Sequence, residues 1–261
     1  MRYFIEFAYN GAAYCGWQKQ PDAVTVQGTL EKALSMVLRT PIALTGAGRT
    51  DSGVHARQQF AHFDYDNEIN SEKLAYGMNA VLPKDIAVRN FYALHDQAHA
   101  RFDARKRTYE YHIHRFKDPF LNDFSFQYLF RLDLEKMNQA AEMLFDYTDF
   151  ECFSKVKTDV GTFICRIDYA NWAEQNGRLV FTISADRFLR NMVRAIVGTL
   201  IDIGLGKKSL GDFKNIIESK SRNQAGFSVP AHGLYLTEIV YDYIQSPSPD
   251  RAGILAAQQA R

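Results

Sequence analysis

The order of predicted strands and helices repeats along this chain, and the repeat restricts the fold more than any other feature. Core-facing side chains recur every second residue in a strand and about every 3.6 residues in a helix. By this criterion each half of the chain has the order β-α-β-β-α-β. The first half has strand patterns at residues 2–9, 41–45, 57–65 and 85–94, and helical patterns after the capping residues Thr25 and Ser71.

The second half repeats the order with one insertion. Its strand patterns are residues 107–114, 163–172, 178–185 and 234–243, and its helical patterns are residues 133–145 and 188–203, with a short inserted helix near 210–219. Tandem units of this kind predict an α+β fold. Two ferredoxin-like (βαββαβ) halves form an extended, mostly antiparallel sheet with a central active-site cleft. We predict halves at 1–100 and 101–245, and a mobile tail at 246–261, which has few large apolar residues.

Composition excludes several classes of protein. No run of eighteen apolar residues is present, so no transmembrane helix is predicted, and Glu6 makes the N-terminus unlike a signal peptide. The three cysteines are far apart and form no CxxC pair, which disfavours a disulfide framework and a zinc ribbon. His112 and His114 alternate on a strand without a third ligand at a fitting spacing. The sequence therefore predicts a cytoplasmic protein without a metal site.

Charge gives a weak indication of the partner. The net charge of +1 does not indicate nucleic-acid binding, so an RNA partner requires basic residues that are gathered locally. Residues 101–117 gather six basic side chains against Asp103 and Glu110. Composition alone favours a solvated loop rim over a binding surface for this segment.

A glycine-rich segment, GAGRTDSGVHA at residues 46–56, carries the candidate chemistry. Its glycines indicate unusual backbone angles or close approach of a ligand. Asp51 follows Arg49 by two residues, and a carboxylate held ionised by a nearby cation can act as a nucleophile or a base. The segment has no Lys of the kind found in a phosphate-binding loop, which disfavours that function. It also has no G-x-S-x-G elbow, which disfavours a hydrolase that uses Ser52 and His55. On this segment alone, a tight hairpin in which Asp51 caps turn amides stays open as an alternative to catalysis.

Five ordered motifs resemble those of the tRNA pseudouridine synthase A family, and they extend from residue 3 to about residue 240. Five motifs in the same order are far more specific than any one of them. Ser52, where the family commonly has Ala, and Arg187, where a small residue is common, depart from the pattern. The motifs are residues 10–18 with 25–31 (NGAAYCGWQ and TVQGTLE), 46–56, 106–111 (KRTYEY), 188–198 (FLRNMVRAIVG) and 230–236 (PAHGLYL).

The resemblance implies a reaction and its residues. It implies isomerisation of uridine to pseudouridine at positions 38, 39 and 40 of the tRNA anticodon stem-loop, without a cofactor. By this match Asp51 is the nucleophile, Arg194 its basic partner and Tyr109 the active-site ring that stacks on the extruded base. Arg49 is expected to orient the loop. The alternating strand pattern alone places Tyr109 in the core. Arg194 lies in an apolar stretch, where a charge without a partner would cost free energy.

Other arginines are candidate phosphate contacts. Arg187, Arg190 and Arg194 are three and four residues apart, which predicts one helix face. With Arg101, Arg105 and Arg107 they are predicted to line the cleft. The family resemblance also implies a homodimer. The alternative function is a tRNA-binding protein or chaperone of the same fold that has lost turnover, although Asp51, Tyr109 and Arg194 are all present.

Overall fold

In a computed structural model of the chain, residues 1–156 and 161–244 are described, so the predicted tail at 246–261 lies outside the described residues. Within those ranges, nine strands form one sheet and five α-helices accompany it. The strands are β1 Arg2–Tyr9, β2 Thr45–Gly46, β3 His55–Asp64, β4 Ile86–Leu94, β5 Lys106–His114, β6 Phe126–Gln127, β7 Ile167–Gln175, β8 Arg178–Ala185 and β9 Leu234–Val240. The helices are α1 Val26–Leu38, α2 Ser71–Val81, α3 Leu134–Glu142, α4 Met192–Gly204 and α5 Leu210–Ser219.

The strand order is the same in the two halves of the sheet. The full order is β4-β1-β3-β9-β5-β8-β7, with β2 on β3 and β6 on β5. The first half thus has the order β4-β1-β3-β2, and the second half has the order β9-β5-β8-β7. If the short β6 is left out, each order is the fourth, first, third and second strand of that half along the chain. Neighbouring strands are antiparallel except β3 with β9 and β5 with β6. The predicted α+β class and mostly antiparallel sheet are confirmed, and the division at residue 100 stays a prediction.

A short parallel pairing joins the two halves. Strands β3 and β9 pair at His55 with Tyr235 and at Ala56 with Leu236. Strand β9 also contributes to both apolar cores, because Leu234 packs in the core of the second half and Ile239 in that of the first. Residues 46–56 end at this joint, so the fold brings the glycine-rich segment to the boundary between the halves.

Several predicted elements differ from the structure. Of the strand predicted at 41–45, only Thr45 lies in a strand, because the amides of Ile42 and Leu44 bond to side chains of α1, Ser35 and Glu31, instead of a strand ladder. The preceding Pro41 also has no N–H to donate.

The cap of α2 and the start of α4 also differ from the prediction. Thr25 caps α1 as predicted, but α2 is capped by Asn70, whose side chain accepts from the Lys73 amide. The helix predicted from residue 188 begins at Met192, because Asn191 has a φ of 66° and interrupts the helical backbone. Asparagine tolerates this left-handed conformation better than most residues. Consequently Arg187 and Arg190 precede the helix, and the single helix face predicted for Arg187, Arg190 and Arg194 is wrong.

Among the described residues, no helix combines the length and the hydropathy that crossing a bilayer requires.

Candidate active site

The turn that carries Asp51 is held by the segment after β1. The carbonyl of Tyr14 accepts from the Gly53 amide and the Ser52 hydroxyl, and the Trp17 amide donates to the Thr50 carbonyl. Gly16 and Gly53 have φ values of +82° and +79°, which L-residues with a side chain rarely adopt. A Cβ at Gly16 would lie 2.5 Å from the Thr50 carbonyl oxygen. Backbone contacts therefore fix Asp51 closely, and glycine makes them possible.

Trp17 and Gly46 support the same segment from the core. Trp17 is 1% exposed and stacks on Phe7 with ring centroids 5.2 Å apart. Its indole ring lies directly against Gly46, where a Cβ would overlap it. Trp17 is thus a core residue under the loop.

His55 anchors the end of the segment. Its Nδ1 accepts from the Gly11 amide at 3.0 Å, so its Nε2 carries the proton and donates to the His232 carbonyl at 3.0 Å. Burial lowers the pKa of His55, which agrees with this neutral tautomer. Because the Ser52 hydroxyl donates to Tyr14 instead of pairing with this ring, the geometry does not support a Ser52/His55 hydrolase.

Two arginines from the second half face the Asp51 carboxylate. Arg194 Nη1 lies 3.3 Å from Oδ2, and Arg190 Nε lies 3.8 Å from Oδ1. Arg194 is fixed in turn, since its Nε donates to the Val229 carbonyl at 2.7 Å. The Asp51 and Arg194 side chains are 27% and 20% exposed, so this pair is less screened by solvent than a surface pair. The Asp51 carboxylate is therefore oriented towards two arginines, which place positive charge beside it.

This geometry bears on the hairpin interpretation. Among the described residues, the Asp51 side chain accepts no hydrogen bond from a turn amide, and its backbone carbonyl accepts from the Val54 amide instead. The turn exists, but the carboxylate points to Arg194 and not to the turn.

Arg49 does not take the position that its spacing predicted. It is exposed, and its Nε donates to Gln18 Oε1 at 3.2 Å. The charges that meet Asp51 come from Arg190 and Arg194, and Arg49 links the loop to the segment after β1.

Tyr109 is a partly buried phenol near the carboxylate. Burial raises the pKa of Tyr109 to about 12, an effect that the Arg107 cation partly offsets and the negative charge of Asp51 reinforces. The ring meets Phe188 edge to face, with centroids 5.2 Å apart. The hydroxyl therefore stays protonated at neutral pH and is available as a donor.

Arg107 stabilises the backbone framework around the site. Its Nη1 donates to the carbonyls of Ala104 and Asp186, and its Nη2 to those of Ala47 and Arg101, at 2.8–3.4 Å. Burial lowers the pKa of this guanidinium. Because Ala47 belongs to the glycine-rich segment, Arg107 ties that segment to the second half. The geometry favours this framework role over the phosphate contact predicted from spacing.

Replacing Arg107 tests the framework role. We expect Arg107→Met to lower the free energy of unfolding by about 2–4 kcal/mol, because the partly buried carbonyls of Ala47, Ala104 and Asp186 lose a donor. Urea denaturation followed by circular dichroism measures the change. Arg105→Met is the matched control, since Arg105 pairs with Asp242 at the surface, and little or no change is expected. Equal stability of both variants with the wild type would contradict the framework role.

The remaining predicted arginines have contacts other than the Asp51 carboxylate. Arg187 Nη1 donates to the Thr162 carbonyl at 3.2 Å. Arg101 is exposed, with its guanidinium 5.7 Å from the Phe102 ring centroid. Arg105 bonds to Asp242 at 2.7 Å. Their contacts with RNA stay predictions.

A cleft of about 710 Å³ opens beside Asp51. Arg190, Asn191 and Arg194 line it near the start of α4, and residues 222–223 and 225–228 line it together with Lys155 and Val156. Sequence reasoning missed residues 222–228, because this segment has neither strand nor helix periodicity. In the part of the chain that the structure describes, no three His, Cys, Asp or Glu side chains are grouped as metal ligands.

Comparisons with known proteins agree with the sequence motifs. The family model described as tRNA pseudouridine synthase matches residues 6–103 and 140–242. Proteins named tRNA pseudouridine synthase A from Parabacteroides distasonis and Porphyromonas gingivalis are 51% and 50% identical to this chain. Each match covers 92% of this chain and at least 96% of the relative. The protein of that name from Bacillus subtilis is 40% identical, and the match covers 93% of this chain and the whole of the relative.

Proposed function

Since the chain belongs to the tRNA pseudouridine synthase family and is therefore an isomerase that forms pseudouridine in tRNA, we propose its target and its nucleophile. The target is uridine at positions 38, 39 and 40 of the anticodon stem-loop, and the nucleophile is Asp51. The single observation that supports Asp51 most is its carboxylate, which faces Arg194 and Arg190 at the edge of the cleft.

The chemistry explains what the site must supply. The bond between C1′ and N1 of the uridine breaks, the base turns, and a bond forms between C1′ and C5. N1 gains a proton, and the C5 proton is released to solvent. The reaction has no net oxidation or hydrolysis, so it needs a nucleophile, a base for the C5 proton and a shielded pocket. Attack at C1′, attack at C6 and initial proton abstraction all use an ionised carboxylate at Asp51.

Tyr109 is proposed to hold the extruded base. Base flipping brings a nucleotide out of its stack into a pocket where it meets a ring. The Tyr109 ring is partly buried and near Asp51, and its hydroxyl is protonated at neutral pH because its pKa is about 12. It can therefore stack on uracil and donate a proton.

Release of tritium tests the activity. Unmodified tRNA with tritium at uracil C5 is incubated with the wild-type protein, and radioactivity in water is measured. Pseudouridine formation must release the label, because C5 exchanges its hydrogen for the bond to C1′. Transcripts in which positions 38, 39 and 40 are changed to cytidine one at a time then identify the targets. Binding of tRNA without any release would favour the non-catalytic alternative.

Phosphate contacts give a further prediction. We expect Arg190→Ala to weaken tRNA binding and to lower the slope of log K against log salt by about one, as loss of a phosphate contact does. Arg105→Ala is expected to do the same to a smaller extent, since Asp242 already pairs with Arg105. Filter binding over a series of salt concentrations measures the slopes. Lys214→Ala is the control, because Lys214 lies on α5 and pairs with Glu218. An unchanged slope in both arginine variants would remove them from the RNA path.

A homodimer and a cytoplasmic location are also part of the proposal. The family resemblance supports the dimer, and tRNA as the substrate supports the location. Residues 116–130 also expose several large apolar side chains, including Phe120 at 84% and Phe130 at 66%. Monomers seldom leave such a concentration uncovered. Sedimentation of the purified chain measures its mass in solution.

A further inference from the structure

Phe227 is an exposed aromatic residue at the cleft. Its side chain is 47% exposed, and it lines the cleft together with Asp51, Arg190 and Arg194. Phe227 belongs to neither of the two apolar cores, so packing in a core does not account for its place at the cleft.

The backbone holds Phe227 in place against α4. The Phe227 carbonyl lies so close to Gly198 that a Cβ there would overlap it. On the preceding residue, the Gly226 amide donates to Thr199 Oγ1 at 2.8 Å, and its carbonyl accepts from Arg222 Nη1 at 3.0 Å. The same helix supplies Arg194, so the Phe227 backbone and the Asp51 partner are fixed to one element. The backbone at Phe227 is therefore already ordered before a ligand meets the ring, which lowers the conformational entropy cost of binding.

From this geometry we propose that Phe227 stacks on an unpaired RNA base next to the extruded uridine. A flat ring beside cationic side chains is the arrangement by which proteins hold single-stranded RNA, because the base stacks and the phosphates meet the cations. Tyr109 is partly buried and takes the uridine, whereas Phe227 is more exposed, lines the cleft and takes a neighbour. This inference rests on the proposed function and adds a second contact for the substrate.

Side-chain variants separate stacking from packing. Phe227→Ala and Phe227→Leu are expected to reduce kcat/KM for tRNA about 5- to 100-fold, the range for loss of one stacked base, mainly through KM. Phe227→Trp and Phe227→Tyr are expected to retain most of the activity. Phe145→Ala is the matched control, because Phe145 is 46% exposed and does not line the cleft. Wild-type activity of Phe227→Leu would show that the residue only fills space.

A second measurement identifies the stacked base. Two tRNAs are made, each with an abasic nucleotide on the 5′ or the 3′ side of the target uridine. If Phe227 stacks on that base, the loss caused by Phe227→Ala disappears on one of the two substrates. The same loss on both abasic substrates and on intact tRNA would overturn the inference. Absence of tritium release by the wild-type protein would instead contradict the proposed function, so the two failures are distinguishable.

Discussion

Asp51→Asn is expected to reduce tritium release by roughly a thousandfold or more under single-turnover conditions. The amide has nearly the same shape as the carboxylate, but it is neither a nucleophile nor a base, and loss of a catalytic nucleophile typically has an effect of this size or larger. Binding of tRNA should change little, because Arg190 and Arg194 remain in place. Filter binding under the same conditions measures that part of the prediction.

The neighbouring residue supplies the control. Ser52→Ala introduces the residue common in the family and removes only a hydrogen bond to the Tyr14 carbonyl. It should release tritium at close to the wild-type rate. Normal release by Asp51→Asn would exclude Asp51 as the nucleophile, and the reaction would then need another group in the cleft.

Replacing Arg194 should have the second-largest effect. Arg194→Met is expected to reduce kcat/KM about 100- to 1000-fold, since removal of one preorganised donor from an active site has costs of this order. The Asp51 carboxylate loses its nearest cation, at 3.3 Å, and the Val229 carbonyl loses its donor. Arg194→Lys keeps the charge but not the planar group that makes both contacts, so only partial recovery is expected.

Arg190→Met is the comparison for Arg194. Arg190 is 3.8 Å from the carboxylate, and its side chain is 56% exposed, so solvent screens it more and a smaller loss is expected. Urea denaturation of all three variants separates loss of activity from loss of folding. Equal, small losses for Arg194→Met and Arg190→Met would show that Arg194 has no special role at Asp51.

The sequence alone was sufficient for the class of fold. Apolar periodicity is a local property, and it placed the strand at residues 2–9 and the helix after Thr25 where the structure has them. It failed at residues 41–45, where the amides bond to side chains of α1, and at residue 188, where the backbone of Asn191 delays the helix. Both failures depend on hydrogen bonds or backbone angles that a hydrophobic pattern does not contain.

The same distinction between local pattern and tertiary contact applies to the candidate site. The sequence by itself determined that Asp51 is in a glycine-rich turn, and its ordered motifs gave the family. Only the tertiary structure decided which cations meet that carboxylate. Arg49 is two residues away but turns to Gln18, whereas Arg194 is 143 residues away and lies at 3.3 Å. It also decided that Arg107 bonds to carbonyls and that Phe227 is exposed at the cleft. The physical reason is that the contacts of Arg194 with Asp51 and of Arg107 with Ala47 join the two halves of the sheet near the β3–β9 pairing, and no local pattern records which residues meet there.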